Sequence, residues 1–340
     1  MSEPEVPGAR KIAKVTCVGG GVIGAGWAAH FMRAGLEVVV YDQAAERESY
    51  LRESLVQAMP ALIELGMAPG ASPSRVHFTN NFKEALDGTG FVQESATENI
   101  DAKIALIAEI DACTPPAVVI ASSSSGFLAA QLRSRAQHAE RVLIGHPFNP
   151  PFLVPLVEIA GGEAARQAAA DASAFYRSTG CEVVELDREI GGYIGNRIQF
   201  AVLREVLYLM SQGVADLEAI DRAIAAGPAL RWAVMGPSSV FFLGVRNPSL
   251  YGKYVEGLAR EMESGYMAPP SFQPDKELMR AYAEQVFNGI GVDGQAGLME
   301  LRNGGIVGIR RALQRVRAGL KDGEPWYRSG EGRLLGWDGG

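Results

Sequence analysis

Residues 12–42 constrain this chain more than any other stretch. Residues 12–19 form an apolar run broken only by Lys14 and Thr16, which reads as a buried strand. Gly19-Gly20-Gly21-Val22-Ile23-Gly24 follows, then an amphipathic stretch over 22–34 with Val22, Ile23, Trp27 and Phe31 at helical spacing, ended by Gly35. Leu36 to Tyr41 is a second apolar strand, and Asp42 sits at its end. Strand, turn, helix and strand make one βαβ unit, which requires a parallel crossover. In such a unit Gly19 allows the tight turn, Gly21 lets the backbone approach a pyrophosphate, and Gly24 lets the helix pack close to the strand. The helix start offers free N–H groups and partial positive charge to an anion. Gly19, Gly21, Val22, Ile23 and Gly24 are therefore candidates for holding a dinucleotide. Asp42 would accept from the adenosine ribose hydroxyls and repel a 2′-phosphate, so the expected cofactor is NAD rather than NADP.

The alternation continues. Residues 76–79, 91–94, 118–122 and 141–146 read as further strands, with helices at 45–66, 82–87, 100–112 and 127–135 and a loop at 69–73. Alternating β and α predicts a doubly wound sheet. After residue 190 the pattern changes. Residues 193–212, 216–227, 237–243, 249–264 and 275–288 carry helical periodicity with almost no strand signal. The expected class is α/β: an N-terminal Rossmann-type doubly wound sheet followed by an all-helical C-terminal domain. The expected organisation is a tail at 1–10, a dinucleotide-binding domain at 11–190, a helical domain at 191–325 opening at Gly191-Gly192, and a tail at 326–340. A chain of 340 residues is long enough for two such cores.

Composition narrows the function. The net charge is −7 with no basic block, which argues against nucleic acid or an anionic membrane as partner. Cys17, Cys113 and Cys181 are far apart and odd in number, so neither a disulfide framework nor a metal site is expected. No apolar run reaches the length of a membrane span. The polar start, Met1-Ser-Glu-Pro-Glu-Val-Pro-Gly, has no signal-peptide pattern, and a cytoplasmic protein is expected.

Four polar residues suggest the chemistry. His146 ends an apparent strand, in Gly-His-Pro-Phe-Asn-Pro, and the carboxyl ends of strands in an open parallel sheet face the ligand crevice. Oxidising an alcohol needs a group that takes the hydroxyl proton as the hydride leaves, and histidine has the intrinsic pKa for it. Glu158, beyond a Phe-Leu-Val-Pro-Leu-Val run, can bond the other ring nitrogen, fix the tautomer and stabilise the imidazolium. Ser125 and Asn196 can hold the substrate oxygen, and Asn149 the nicotinamide ribose or carboxamide. Taken singly, each has a plain structural role open to it: a strand-end histidine, a strand-edge glutamate, a helix cap and one serine of the run Ser122 to Ser125.

On these residues the chain resembles the 3-hydroxyacyl-CoA dehydrogenase superfamily over nearly its whole length. The His146-Pro147-Phe148-Asn149-Pro150 block is similar to that family's His-Phe-Phe-Asn-Pro signature, and the serine, glutamate and asparagine stand at the family's spacing from the histidine. The resemblance implies His146 as base, Glu158 as its partner, Ser125 and Asn196 as substrate-oxygen contacts, and Glu98 and Lys103 as cofactor-side residues. It also implies a homodimer formed through the helical domain. Two departures stand out: Gly191-Gly192 replaces the family's Pro-Gly, and Pro147 replaces an aromatic.

The substrate is expected to be a small free L-3-hydroxy acid rather than a CoA thioester. The family's CoA-contacting helices follow the second strand. Here residues 44–75 hold Arg47, Arg52 and Arg75 and no lysine, against Glu46, Glu48, Glu53 and Glu64, a poor surface for a polyanion. Residues 227–237, Gly-Pro-Ala-Leu-Arg-Trp-Ala-Val-Met-Gly-Pro, resemble a segment of the branch that takes free acids such as carnitine and gulonate and that includes the lambda-crystallins. Arg231 can grip a free carboxylate and Trp232 can face a quaternary ammonium; a structural salt bridge and a core tryptophan are the plain readings of the same pair. Carnitine is the first expectation. Gulonate, a short-chain 3-hydroxyacyl-CoA and a non-catalytic NAD-binding role stay open.

Overall fold

The computed structural model describes residues 12–242, 251–263, 265, 267–290 and 294–319. The expected tails at 1–10 and 326–340 lie outside the described residues, as do residue 243 of the expected helix 237–243 and residues 249, 250 and 264 of the expected helix 249–264. By its contacts the chain divides into two units, Met1–Arg197 and Ile198–Gly340.

The first unit is the doubly wound sheet. In chain order its elements are β1 (Lys14–Val18), α1 (Val22–Arg33), β2 (Glu37–Tyr41), α2 (Arg47–Leu65), β3 (Val76–Thr79), α3 (Phe82–Leu86), β4 (Phe91–Glu94), α4 (Ile100–Cys113), β5 (Val119–Ser122), α5 (Ala129–Leu132), β6 (Val142–Pro147), β7 (Leu156–Ala160), α6 (Arg166–Ser178), β8 (Glu182–Glu185) and α7 (Tyr193–Ser211), which runs across the boundary. The eight strands lie in the order β3-β2-β1-β4-β5-β6-β7-β8. All neighbours are parallel except β6 and β7, so β7 and β8 run opposite to the rest. The strand order reverses between β1 and β4, which places the ligand crevice at their carboxyl ends.

Both faces of the sheet are covered, as a parallel sheet requires. On one, Cys17, Val38 and Val40 pack with Trp27, Phe31, Leu51, Phe175 and Tyr176 of α1, α2 and α6. On the other, Val18, Val92, Ile120 and Ile144 pack with Ile107, Ile110 and Leu132 of α4 and α5. Thr16, the polar interruption of β1, is buried, and its hydroxyl donates to the Ala85 carbonyl at 2.6 Å. One buried charge pair is Arg141 with Asp111. Its guanidinium also donates to the Asp111, Thr114, Pro115 and Val118 carbonyls, tying α4 to β6.

The second unit has no strand among its described residues. Beyond α7 it contains α8 (Leu217–Ala226), α9 (Pro228–Trp232), α10 (Pro237–Phe242), α11 (Tyr251–Glu263), α12 (Lys276–Ile290) and α13 (Gly294–Gly319). Val206, Leu217 and Ile220 are buried among Val202, Leu209, Tyr282 and Val286. The Arg204 guanidinium donates to the Ala268, Pro269 and Phe272 carbonyls, and Glu205 accepts from the Ala268 amide, so α7 holds the loop before α12.

Candidate active site

At the carboxyl end of β1 the chain turns at Gly19, with φ +105° and its amide donating to the Tyr41 carbonyl at 2.8 Å. A Cβ on Gly24 would overlap the Gly19 carbonyl oxygen, so α1 sits as close to the turn as a bare backbone allows. At Gly21 a Cβ would meet nothing within 4 Å. The start of α1 has no side-chain cap, and Val22 there is exposed beside the half-buried Ile23. Free amides around open space are what a pyrophosphate needs. Asp42 accepts from the Gly20 amide at 2.8 Å and the Ala44 amide at 3.0 Å, which fixes its carboxylate at the rim. A cavity of about 460 Å³ opens here, lined by Gly19, Gly21, Asp42, Arg47, Ser95, Thr97 and Lys103 among others. These residues fit NAD: an acid for the ribose hydroxyls, uncapped amides for the pyrophosphate, and space at Gly21.

Beside this cavity the buried Lys103 and Glu94 form a charge cluster that the exposed Glu98 joins. Lys103 is 1% exposed; its ammonium donates to Glu94 Oε1 at 2.8 Å and the Ala96 carbonyl at 3.1 Å, and Glu98 Oε2 lies at 3.4 Å. Glu94 also accepts from the Ser122 hydroxyl at 2.5 Å and the Ala96 amide at 2.7 Å. Glu98 accepts at Oε1 from the Ser124 hydroxyl and from the Ser125 and Gly126 amides. Burial pushes the Glu98 carboxyl up, but Ser124, Lys103 and the Gly126 amide outweigh it and hold it below the usual carboxylate range. Glu98 and Lys103 thus shape the wall and the serine loop together. Glu94 and Ser124 escaped sequence reasoning: one ends an apolar strand, the other is one serine of four, and neither has a local signal.

His146 and Glu158 are cross-strand partners on β6 and β7. Both are buried, at 4% and 1% exposure, and His146 Nδ1 lies 2.9 Å from Glu158 Oε2. The other carboxylate oxygen accepts from the Ile194 amide at 2.8 Å and the Gly195 amide at 3.0 Å, at the start of α7. Burial pushes the Glu158 carboxyl up; the His146 hydrogen bond and the two amides outweigh it and pull it below the usual range. The same helix carries Asn196, whose Nδ2 is 3.5 Å from His146 Nε2. Glu158 therefore orients the imidazole and holds the helix that delivers Asn196. Phe148 meets the His146 ring edge-on at 5.6 Å, and Tyr193 lies 5.0 Å away.

The other expected site residues fall as follows. Ser125 is exposed in the loop after β5; its amide is held by Glu98, and its hydroxyl makes no hydrogen bond to His146 or Asn196. Asn149 is exposed at the end of β6, before a cis proline. Arg231 and Trp232 lie in the second unit on α9, both exposed, Trp232 by 39%. No group of three or more His, Cys, Asp and Glu side chains among the described residues is arranged to hold a metal ion.

Comparison with known proteins gives the arrangement its relatives. Residues 14–190 match the NAD binding domain of 3-hydroxyacyl-CoA dehydrogenase, and residues 192–285 match its C-terminal domain. The chain is 43% identical over 317 residues to an L-carnitine dehydrogenase of Nocardiopsis dassonvillei, covering 90% of this chain and 93% of that one. It is 40% identical over 317 residues to an L-carnitine dehydrogenase of Streptomyces coelicolor, covering 93% and 98%. The crystal structure of a 5-formyl-3-hydroxy-2-methylpyridine 4-carboxylic acid 5-dehydrogenase superimposes with a TM-score of 0.79 at 28% identity, covering 89% of this chain and 99% of that chain. With a dinucleotide turn, a buried histidine–carboxylate pair and these relatives along nearly its full length, the chain belongs to the 3-hydroxyacyl-CoA dehydrogenase family and is an NAD-dependent dehydrogenase.

Proposed function

We propose that this enzyme oxidises a small free L-3-hydroxy acid, L-carnitine, to the 3-oxo acid. The observation that carries the chemistry is the buried His146–Glu158 pair at 2.9 Å, with Asn196 on the far side of the ring. Bound NAD supplies the hydride acceptor. With Nδ1–H donated to Glu158, the lone pair on His146 Nε2 is left for the hydroxyl proton of the substrate. The Glu158 carboxylate stabilises the imidazolium that forms. Asn196 and Ser125 hold the substrate oxygen, and Asn149 and the wall set by Glu98 and Lys103 receive the nicotinamide half.

A free acid is favoured over a thioester by what the arginines after β2 are doing. Arg52 donates to the Val76 carbonyl and to Glu48, and Arg75 to the Leu36 carbonyl; only Arg47, at the dinucleotide cavity, has no such bond. That leaves little for the phosphates of coenzyme A. Arg231 offers a carboxylate two parallel N–H donors, and the partly exposed Trp232 ring suits a trimethylammonium group. The full-length similarity to L-carnitine dehydrogenases supports the same substrate. The reading includes a cytoplasmic homodimer. Three scattered cysteines, at 17, 113 and 181, fit a reducing compartment, and Leu230, Val234, Met262 and Leu301 of the helical unit are more than half exposed, apolar surface that a second copy would cover.

The test is NADH formation from NAD with L- and D-carnitine, L-gulonate, L-3-hydroxybutyrate and 3-hydroxybutyryl-CoA, with sedimentation velocity on the same preparation. Turnover of L-carnitine well above the others by a dimer is the expected result. Turnover of the thioester alone sinks the free-acid reading, and no turnover on any substrate returns the chain to an NAD-binding role without catalysis.

A further inference from the structure

Tyr193 is the one non-glycine residue among the described residues with φ in the left-handed region, at +48°. A bulky side chain there is an outlier, because its Cβ crowds the carbonyl oxygen. Such a conformation persists only where the surroundings over-determine it, so its contacts show what it is held for. Tyr193 is fully buried. Its hydroxyl donates to the Phe127 carbonyl at 2.5 Å, on the same loop that Glu98 holds through Ser124, Ser125 and Gly126. Its ring stands 5.0 Å from the His146 ring, inclined by 40°. Its backbone opens α7, and the next two amides are the pair that bind Glu158. One residue thus meets the serine loop, the base and the turn that aims the base's partner. Burial, then Glu189, Glu98 and Glu158, push the phenol well up, so it stays a donor at any working pH. Volume alone demands neither the hydroxyl nor the strained backbone: phenylalanine has the shape, and glycine has the conformation.

We infer that Tyr193 is a positioning residue, whose hydroxyl anchors the Ser125 loop against the His146–Glu158 pair and whose ring holds the imidazole plane. This rests on the reading of His146 as base and Ser125 as substrate contact. The two contacts separate in two variants. Tyr193→Phe keeps the ring and loses the anchor; Tyr193→Leu loses both. Each is assayed with NAD and the free hydroxy acid that the unaltered enzyme oxidises fastest, with His146→Gln alongside.

For Tyr193→Phe the expected result is a KM for the acid raised about tenfold, with kcat within about threefold and KM for NAD within about twofold, because the base stays in place while the loop that meets the substrate loosens. Tyr193→Leu lowers kcat as well, by about a hundredfold, the effect of displacing a reacting group by about 1 Å. A tyrosine that only filled space would lower apparent kcat in step with the melting temperature and leave both KM values unaltered. An unaltered KM in Tyr193→Phe overturns the inference, and so do Phe and Leu variants that differ only in the fraction of active enzyme. If the Leu variant does not fold, the near-isosteric Phe variant decides alone. The underlying reading fails separately: His146→Gln with kcat within threefold of the unaltered enzyme removes the base, whereas an inactive His146→Gln beside an unaltered Tyr193→Phe removes only the role of Tyr193.

Discussion

In the proposed mechanism, more converges on Glu158 than on any other single residue. One oxygen faces His146 Nδ1 and the other takes two backbone amides of α7, so all its strong partners favour the ionised form. A glutamine of the same shape keeps the amides satisfied through its oxygen but presents an N–H to the imidazole N–H. Glu158→Gln is therefore expected to lower kcat by about 10² to 10⁴, as the loss of a carboxylate that sets a tautomer does. His146→Gln removes the proposed proton acceptor itself and is expected to cost a similar factor. Neither residue lines the cavity at the dinucleotide turn, so NADH binding, followed by fluorescence titration, should stay within about twofold in both variants, the scatter usual for residues remote from a site. A weakened NADH titration in either would mean that the pair shapes the cofactor site rather than the proton transfer.

At the scale of elements, what matters is how closely α1 approaches the turn after β1. The Gly24 position has no room for a methyl group, because the Gly19 carbonyl already occupies it. Gly24→Ala must push the helix away from the turn, and overpacking of this kind costs about 1–3 kcal/mol. Loss of NAD affinity should accompany the lower melting temperature, since the displaced amides are those offered to the pyrophosphate. Gly297 in α13 provides the contrast. A Cβ there meets nothing within 4 Å, so Gly297→Ala should raise stability by about 0.5–1 kcal/mol through helix propensity alone and leave NAD binding unaltered. Equal effects of the two substitutions would remove the packing argument. These elements also show where a sequence is legible. The βαβ start declares itself because strand, glycines, helix and acid stand in one short run. β8 does not, because Glu182-Val-Val-Glu185 is a short, mostly exposed edge strand with charge at both ends. α13 runs against local preference, with glycines at 294, 297, 304, 305 and 308, and only the fold shows it as one helix. The link from Tyr193 to Phe127 spans 66 positions and leaves no trace in either neighbourhood.

Across the whole molecule, stability and pH are coupled through hydrogen-bonded carboxylates. Asp111, Glu98 and Glu158 are each pushed up by burial and pulled further down by amides and by Arg141, Ser124 with Lys103, and His146 respectively. A carboxyl with its folded pKa depressed contributes stability that is present above its unfolded value and lost as pH falls through the folded one. The midpoint of chemical unfolding should therefore be level at neutral pH and fall as pH drops below roughly 4, where ordinary carboxylates titrate. Asp111→Asn should lower the neutral midpoint and flatten the acid slope. An acid slope identical to that of the unaltered protein would move the acid sensitivity elsewhere. The order of the sheet bears on a different property, tolerance to change in length. β7 and β8 run against the other six strands, and the His146–Glu158 pair depends on that reversal. Side chains alternate between the faces of a strand, so the meeting of histidine and carboxylate has a parity. Residues added in the connection between β6 and β7 leave the pairing free to re-form in the same register. One residue added between Leu156 and Glu158 turns the carboxylate through to the other face of the sheet. Length is thus a free variable on one side of Leu156 and a fixed one on the other.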